Sequence, residues 1–133
     1  MEILPFEDDD LTLIPMAGRR ALDRAGLRLS LRAWQGLSYP VRSMLVGLGS
    51  AEEVDADDVR ALLASADPPP EPFEAPAEPP ADRPPEELIA ALSLPPGFWA
   101  ACSPVARFAL ASYARRGKTV KLRTAYEALL GSP

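Results

Sequence analysis

The chain has 133 residues, 47% of them hydrophobic, with 22 Ala and 19 Leu against 7% aromatics and a formal net charge of −5, which suits one small, mainly helical domain. It has no histidine and one cysteine, Cys102, which removes the commonest general base, most nitrogen and sulfur metal ligands and any disulfide within the chain. No apolar run approaches the roughly 18 to 20 residues of a membrane span, the amino terminus lacks the basic and apolar regions of a cleaved signal, and the negative charge opposes nucleic acid. A cytoplasmic protein without catalysis, bound cofactor or metal is expected.

The first predicted element runs from Pro15 to Ala25, with Ile14, Ala17, Ala21, Leu22 and Ala25 at helical spacing and Gly26 placed for a left-handed cap. Ser30 can cap a short helical turn through Trp34, Ser38 the next helix with Pro40 near its start, and Asp55 a third running to Ala66. In that third helix Val59, Leu62, Leu63 and Ala66 form an i, i+3, i+4, i+7 stripe, with Asp57, Asp58 and Arg60 facing away.

Nine of the sixteen prolines then fall between Pro68 and Pro85, interleaved with Glu71, Glu74, Glu78 and Asp82. That composition predicts an extended acidic linker lying outside the packed structure. Beyond it, Pro85 opens a short helix with Leu88, Ile89 and Leu92, and Pro95-Pro96-Gly97 ends it. Ser103-Pro104 opens a helix that is apolar nearly all round and therefore central, ended by Gly117. A last helix from about Val120 carries Leu122, Ala125, Tyr126, Leu129 and Leu130. No stretch alternates with period two, so no sheet is expected.

The fold class is thus all-α: a compact bundle of about five to six short helices, divided into residues 1–66, a linker at 67–85, and residues 86–133 packing on the first half as one composite domain. Leu29, Trp34, Ser38, Arg42 and Leu45 recur 65 residues later as Leu94, Trp99, Ser103, Arg107 and Leu110, an internal two-fold repeat. Its pattern reads as a Trp core anchor, a Ser cap, and an Arg that ties down a loop carbonyl, or as a duplicated partner-binding corner. Charge is uneven: −4 over residues 1–66, −6 over 67–87 and +5 over 88–133. The acidic linker and basic end either attract each other or leave a basic surface for an acidic partner.

Asp8–Asp10 and Asp55, Asp57 and Asp58 sit at helix starts, where negative charge suits the dipole, and neither cluster has the spacing of a calcium loop. Gly47-Leu48-Gly49-Ser50 lacks the lysine or third glycine of a phosphate loop. Cys102 reads as a buried, inert thiol. Two short helices meeting across Ala33–Leu48 raise a helix-turn-helix reading, but Arg42 alone offers a base there, so DNA binding ranks third. Met16 falls on the helical wheel with Arg19, Arg20 and Asp23, opposite the Ala stripe. Either the amino-terminal strand covers it through Phe6, or these residues form a contact patch, a setting in which Met and Arg are favoured.

The run Phe6-Glu7, Leu13-Ile14-Pro15-Met16, Arg19 or Arg20, Leu22-Asp23, Gly26, Leu29, Leu31 and Trp34 resembles the opening signature of the nitrate reductase-associated proteins, small cyanobacterial-type proteins encoded near nitrate-assimilation genes. The resemblance is densest over residues 6–45 and implies a non-catalytic accessory protein whose partner is an assimilatory, molybdenum-dependent nitrate reductase. Where the family has a Cys before the Ile-Pro-Met run, this chain has Leu13. On this reading Phe6, Glu7, Met16, Arg19, Arg20 and Asp23 are the partner-binding residues. The alternative is a general helical adaptor whose partner binds along the basic carboxy-terminal helix, at Lys118, Lys121 and Arg123.

Overall fold

A computed structural model describes residues 1–131 of the chain; residues 132 and 133, the end of the expected carboxy-terminal half, lie outside the described residues. It is mostly helical, and the contacts divide it into two units: Met1–Ile3 with Glu7–Pro76, and Leu4–Phe6 with the chain from Ala77 onward. The described residues hold eight helices, more than the expected five to six, because the two Trp-bearing turns form short helices of their own. None of these helices is long and apolar enough to cross a membrane.

In the first unit, α1 (Met16–Arg24) packs chiefly against α3 (Tyr39–Ser50), with α2 (Leu31–Gly36) and α4 (Ala56–Leu62) beside them. Ser30, Ser38 and Asp55 accept from the backbone N–H groups of Ala33, Val41 and Asp58, closing three helix starts as expected, each worth about 1 kcal/mol. Proline at the N-cap of α1 has no side chain able to do this. There the Glu7 carboxylate, nine residues upstream, takes the Met16 N–H at 2.7 Å. Gly26, at φ 71°, supplies the left-handed residue after α1.

Small residues set the α1–α3 spacing. Ala17 and Ala21 are fully buried, and a Cβ on Gly49 would stand 1.7 Å from the Ala17 carbonyl oxygen and 3.1 Å from the Ala21 nitrogen. The two backbones touch, and Leu45, Val46, Trp34, Val59 and Leu63 close the core around that contact. Guanidinium groups finish two helix ends: Arg20 donates to the carbonyls of Gly49 in the last turn of α3 and of Ala51 and Glu52 just after it, and Arg60 to Ala25 after α1.

The proline-rich stretch is not an excluded tether. Glu71–Pro72 forms β2, which pairs antiparallel with β1 (Leu27–Arg28) in a two-stranded sheet, correcting the expectation of none. Phe73 N–H donates to Gly26 O, Arg28 stacks on the Phe73 ring, and Arg24 holds the Pro76 carbonyl. An extended segment has no internal hydrogen bonds, so its carbonyls and N–H groups are open to whatever edge lies beside it.

In the second unit, α7 (Pro104–Arg115) is the central helix, burying Val105, Ala106, Phe108, Ala109, Leu110, Ala111, Ser112 and Tyr113. It packs against α5 (Glu86–Ala91) and α8 (Thr119–Leu130), with α6 (Phe98–Ala101) leading into it. Ser103 accepts from Ala106 N–H at the α7 start. At its end Gly117 takes φ 66°, while Gly117 and Lys118 N–H groups return to Ala114 and Tyr113, the paired bonds of a Schellman cap. Leu88, Leu122 and Ala125 are buried as expected, whereas Ile89 and Leu130 are exposed; short helices have apolar stripes wider than the neighbour they cover.

Candidate functional site

The stretch Asp8–Leu13 has too few apolar residues in period for a helix and folds as a fixed loop. The Asp10 carboxylate accepts the Thr12 N–H at 3.0 Å, a local turn typical of Asp. Leu11 between them has φ 58°, a left-handed conformation that costs a side-chain-bearing residue about 1–2 kcal/mol. Complete burial of its side chain, worth about 2 kcal/mol, offsets that cost.

Four side chains of the α2–α3 corner hold the loop by its carbonyls. Leu11 O accepts both Trp34 Nε1–H, at 2.8 Å, and Arg42 Nη1–H, at 2.7 Å. Thr12 O accepts from Gln35 Nε2 at 3.0 Å, and Asp9 O from Tyr39 OH at 3.1 Å. The Arg42 Nε–H is buried without a hydrogen bond to any described residue. The left-handed Leu11 thus sits in a loop whose surroundings over-determine its shape, a pattern that clusters at functional positions.

Clamped in this way, the loop exposes the carboxylates of Asp8, Asp9 and Asp10 and presents Leu13 at 66% exposure. Leu31, Tyr39 and Met44 of the same corner are also large, apolar and exposed. Apolar side chains in a polar rim are the composition of a contact surface. Among the described residues no group of three His, Cys, Asp or Glu side chains is placed to hold a metal ion. Arg42, the one base of the helix-turn-helix reading, is engaged by the Leu11 carbonyl.

The residues expected to bind a partner divide differently from the helical wheel. Met16 and Arg20 are 5% and 2% exposed, which corrects their placement on a solvent face. With Ala17, Gly18, Ala21 and Leu22 also buried, α1 is enclosed on nearly every side. Arg20 is drawn inward because α3 has no basic residue in its last turn and its terminal carbonyls need a donor. Arg19 is exposed, while Phe6, Glu7 and Asp23 are half-buried, and Glu7 caps α1. Cys102 is half-buried rather than buried, and its carbonyl accepts from Arg107.

Sequence reasoning missed Leu11, Gln35 and Tyr39. The Asp10-Leu11-Thr12 turn was a signal for the first, since Asp two residues before a polar N–H favours such turns; none existed for the other two. The repeat residues have parallel local roles: both Trp indoles donate to loop carbonyls, Leu11 and Pro80, and both Arg side chains to backbone oxygens.

Comparison with known proteins places residues 5–68 in a match to the family model of the conserved nitrate reductase-associated protein. The matched stretch contains the whole Asp8–Leu13 loop and all four side chains that hold it. No curated protein and no solved structure matches the chain.

Proposed function

From the match of residues 5–68 to the nitrate reductase-associated family, we propose that this chain is a cytoplasmic, non-catalytic accessory protein. It binds an assimilatory, molybdenum-dependent nitrate reductase and supports its maturation or activity. The contact surface is the Asp8–Leu13 loop with Leu31, Tyr39 and Met44, joined by Arg19 and the exposed parts of Glu7 and Asp23; Met16 and Arg20 act from inside by fixing α1 and α3. The observation that carries this reading is the coincidence of the family match with a strained, clamped loop that displays apolar and acidic side chains.

Co-purification of the tagged chain with nitrate reductase tests it. Leu13→Asp combined with Met44→Asp changes only exposed side chains, so stability should stay within about 0.5 kcal/mol while the recovered reductase falls. Arg19→Glu should act in the same direction. Unchanged recovery with both variants would refute the surface.

A second reading, a general helical adaptor, is favoured by one observation. Arg115, Arg116, Lys118, Lys121 and Arg123 are all exposed around the α7–α8 turn, with Val120 at 78% exposure among them. If Lys118→Glu with Lys121→Glu abolishes association and the loop variants do not, this second surface is the binding one.

A further inference from the structure

The second unit contains a cavity of about 450 Å³ lined by Asp82, Pro84, Ile89, Leu92, Leu94 and Trp99, among others, all beyond the residues matched to the family. That volume lies within the roughly 300–1,000 Å³ of ligand pockets. Both walls are fixed by aromatic side chains. On one, the Pro80 carbonyl accepts the Trp99 Nε1–H at 2.9 Å and also the Arg83 N–H, pinning the turn that carries Asp82. On the other, Tyr126 OH donates to Ser93 O at 3.2 Å and its ring meets Phe98 edge-on with centroids 5.2 Å apart. Gly97, at φ 78°, turns the chain between them.

The chemistry of the lining selects an occupant. The named walls are aliphatic, proline or indole, and Ile89 stays 56% exposed although its neighbour Leu88 is fully buried. Asp82 is the one charged lining residue, and its carboxylate makes no hydrogen bond or ion pair with a described residue. Glu86 and Glu87 stand exposed in the first turn of α5, four and five residues after it, and residues 77–87 of this unit carry Glu78, Asp82, Glu86 and Glu87 against Arg83, −3 in all. A phosphate or an acidic peptide is repelled by that field. A Lys or Arg side chain is suited to it, because its aliphatic stem lies on apolar walls while its head reaches a carboxylate.

We propose that this cavity is a binding site for a short partner segment that combines an aliphatic residue with Lys or Arg, the cationic head engaging Asp82 and the apolar side chain lying between Ile89 and Trp99. The site is independent of the loop surface of the first unit, and its test does not involve nitrate reductase.

The experiment titrates the full chain, isotopically labelled, with the blocked tripeptides Ac-Leu-Arg-Leu-NH2, Ac-Leu-Gln-Leu-NH2 and Ac-Leu-Glu-Leu-NH2, following the Trp99 indole and Ser93 amide signals by NMR. The Arg peptide should shift both signals, the Gln peptide more weakly, and the Glu peptide least. Asp82→Asn should weaken the Arg peptide by about three- to tenfold and remove its advantage over the Gln peptide. Ile89→Glu, at an exposed position, should reduce binding of all three without altering the helical circular dichroism. Equal shifts from the Glu peptide, an unchanged affinity in Asp82→Asn, or no shift at either signal up to about 5 mM would overturn the proposal. Shifts that require self-association of the chain, detected by sedimentation, would assign the cavity to a second copy and overturn it equally.

Discussion

Replacing Gly49 by Ala adds one methyl group where there is no room for it. The new Cβ would lie 1.7 Å from the Ala17 carbonyl oxygen, 2.6 Å from its carbon and 3.1 Å from the Ala21 nitrogen. Close contact between heavy atoms is normally about 3.5–4.0 Å, and the obstructing atoms are main chain, which cannot rotate aside. The helices α1 and α3 must therefore separate by more than an ångström, loosening Trp34, Leu45 and Val46 and the three bonds of Arg20 to the end of α3. Overpacking against mobile side chains costs about 1–3 kcal/mol; against backbone the loss should exceed about 3 kcal/mol, a large share of the usual 5–15 kcal/mol. Gly47, two residues earlier in the same helix, has nothing within 4 Å of the point where a Cβ would stand, so Gly47→Ala should stabilise by about 0.5–1 kcal/mol through helix propensity. Urea denaturation followed by circular dichroism measures both. If Gly49→Ala lies within about 1 kcal/mol of Gly47→Ala, the backbone contact does not exist and the packing of α1 on α3 has been misread.

Arg20→Met keeps the length of the side chain and removes its donors, leaving the carbonyls of Gly49, Ala51 and Glu52 without them; a loss of about 3–5 kcal/mol is expected in the same assay, whereas Arg19→Met should stay within about 0.5 kcal/mol. Trp34→Ala and Trp99→Ala should each cost about 3–5 kcal/mol, and near-neutral stability with lost partner binding would move either residue from core to interface. Ser38→Ala and Ser103→Ala should each cost about 1 kcal/mol, and wild-type stability would remove the capping role. Cys102→Ser should leave association with the partner unchanged, because the neighbouring Arg107 guanidinium donates to the Cys102 carbonyl; loss of association at wild-type melting temperature would show otherwise.

What was legible in the sequence was local. Ser30, Ser38, Asp55 and Ser103 bind N–H groups three residues away, and Gly26 and Gly117 end their helices, so each signal and its consequence lie in one short window. The role of Arg20 was not legible because its acceptors come 29 to 32 residues later. Its clue was indirect, in the missing basic residue at the end of α3. Glu7 reads as a surface acid until the proline at the start of α1 is recognised as leaving that end uncapped. The pairing of Glu71–Pro72 with Leu27–Arg28 is not legible in the sequence because two-residue strands have no periodicity. Proline-rich composition predicts an extended backbone but carries no signal for the strand that Glu71–Pro72 pairs with.

The clamp on the Leu11 carbonyl also governs timing. The loop is tied to Trp34 at one helix and Arg42 at the next, so it cannot open unless the corner between them lets go. The Trp34 indole N–H, the buried donor of that clamp, should therefore resist hydrogen exchange far longer than a solvent-exposed N–H, approaching the rate set by unfolding of the helices themselves. The conformational entropy of this surface is surrendered when the chain folds, before any partner arrives. Association at the proposed surface would start from a preorganised state and lose little further freedom, so that even a small patch of exposed Leu, Tyr and Met would suffice for recognition.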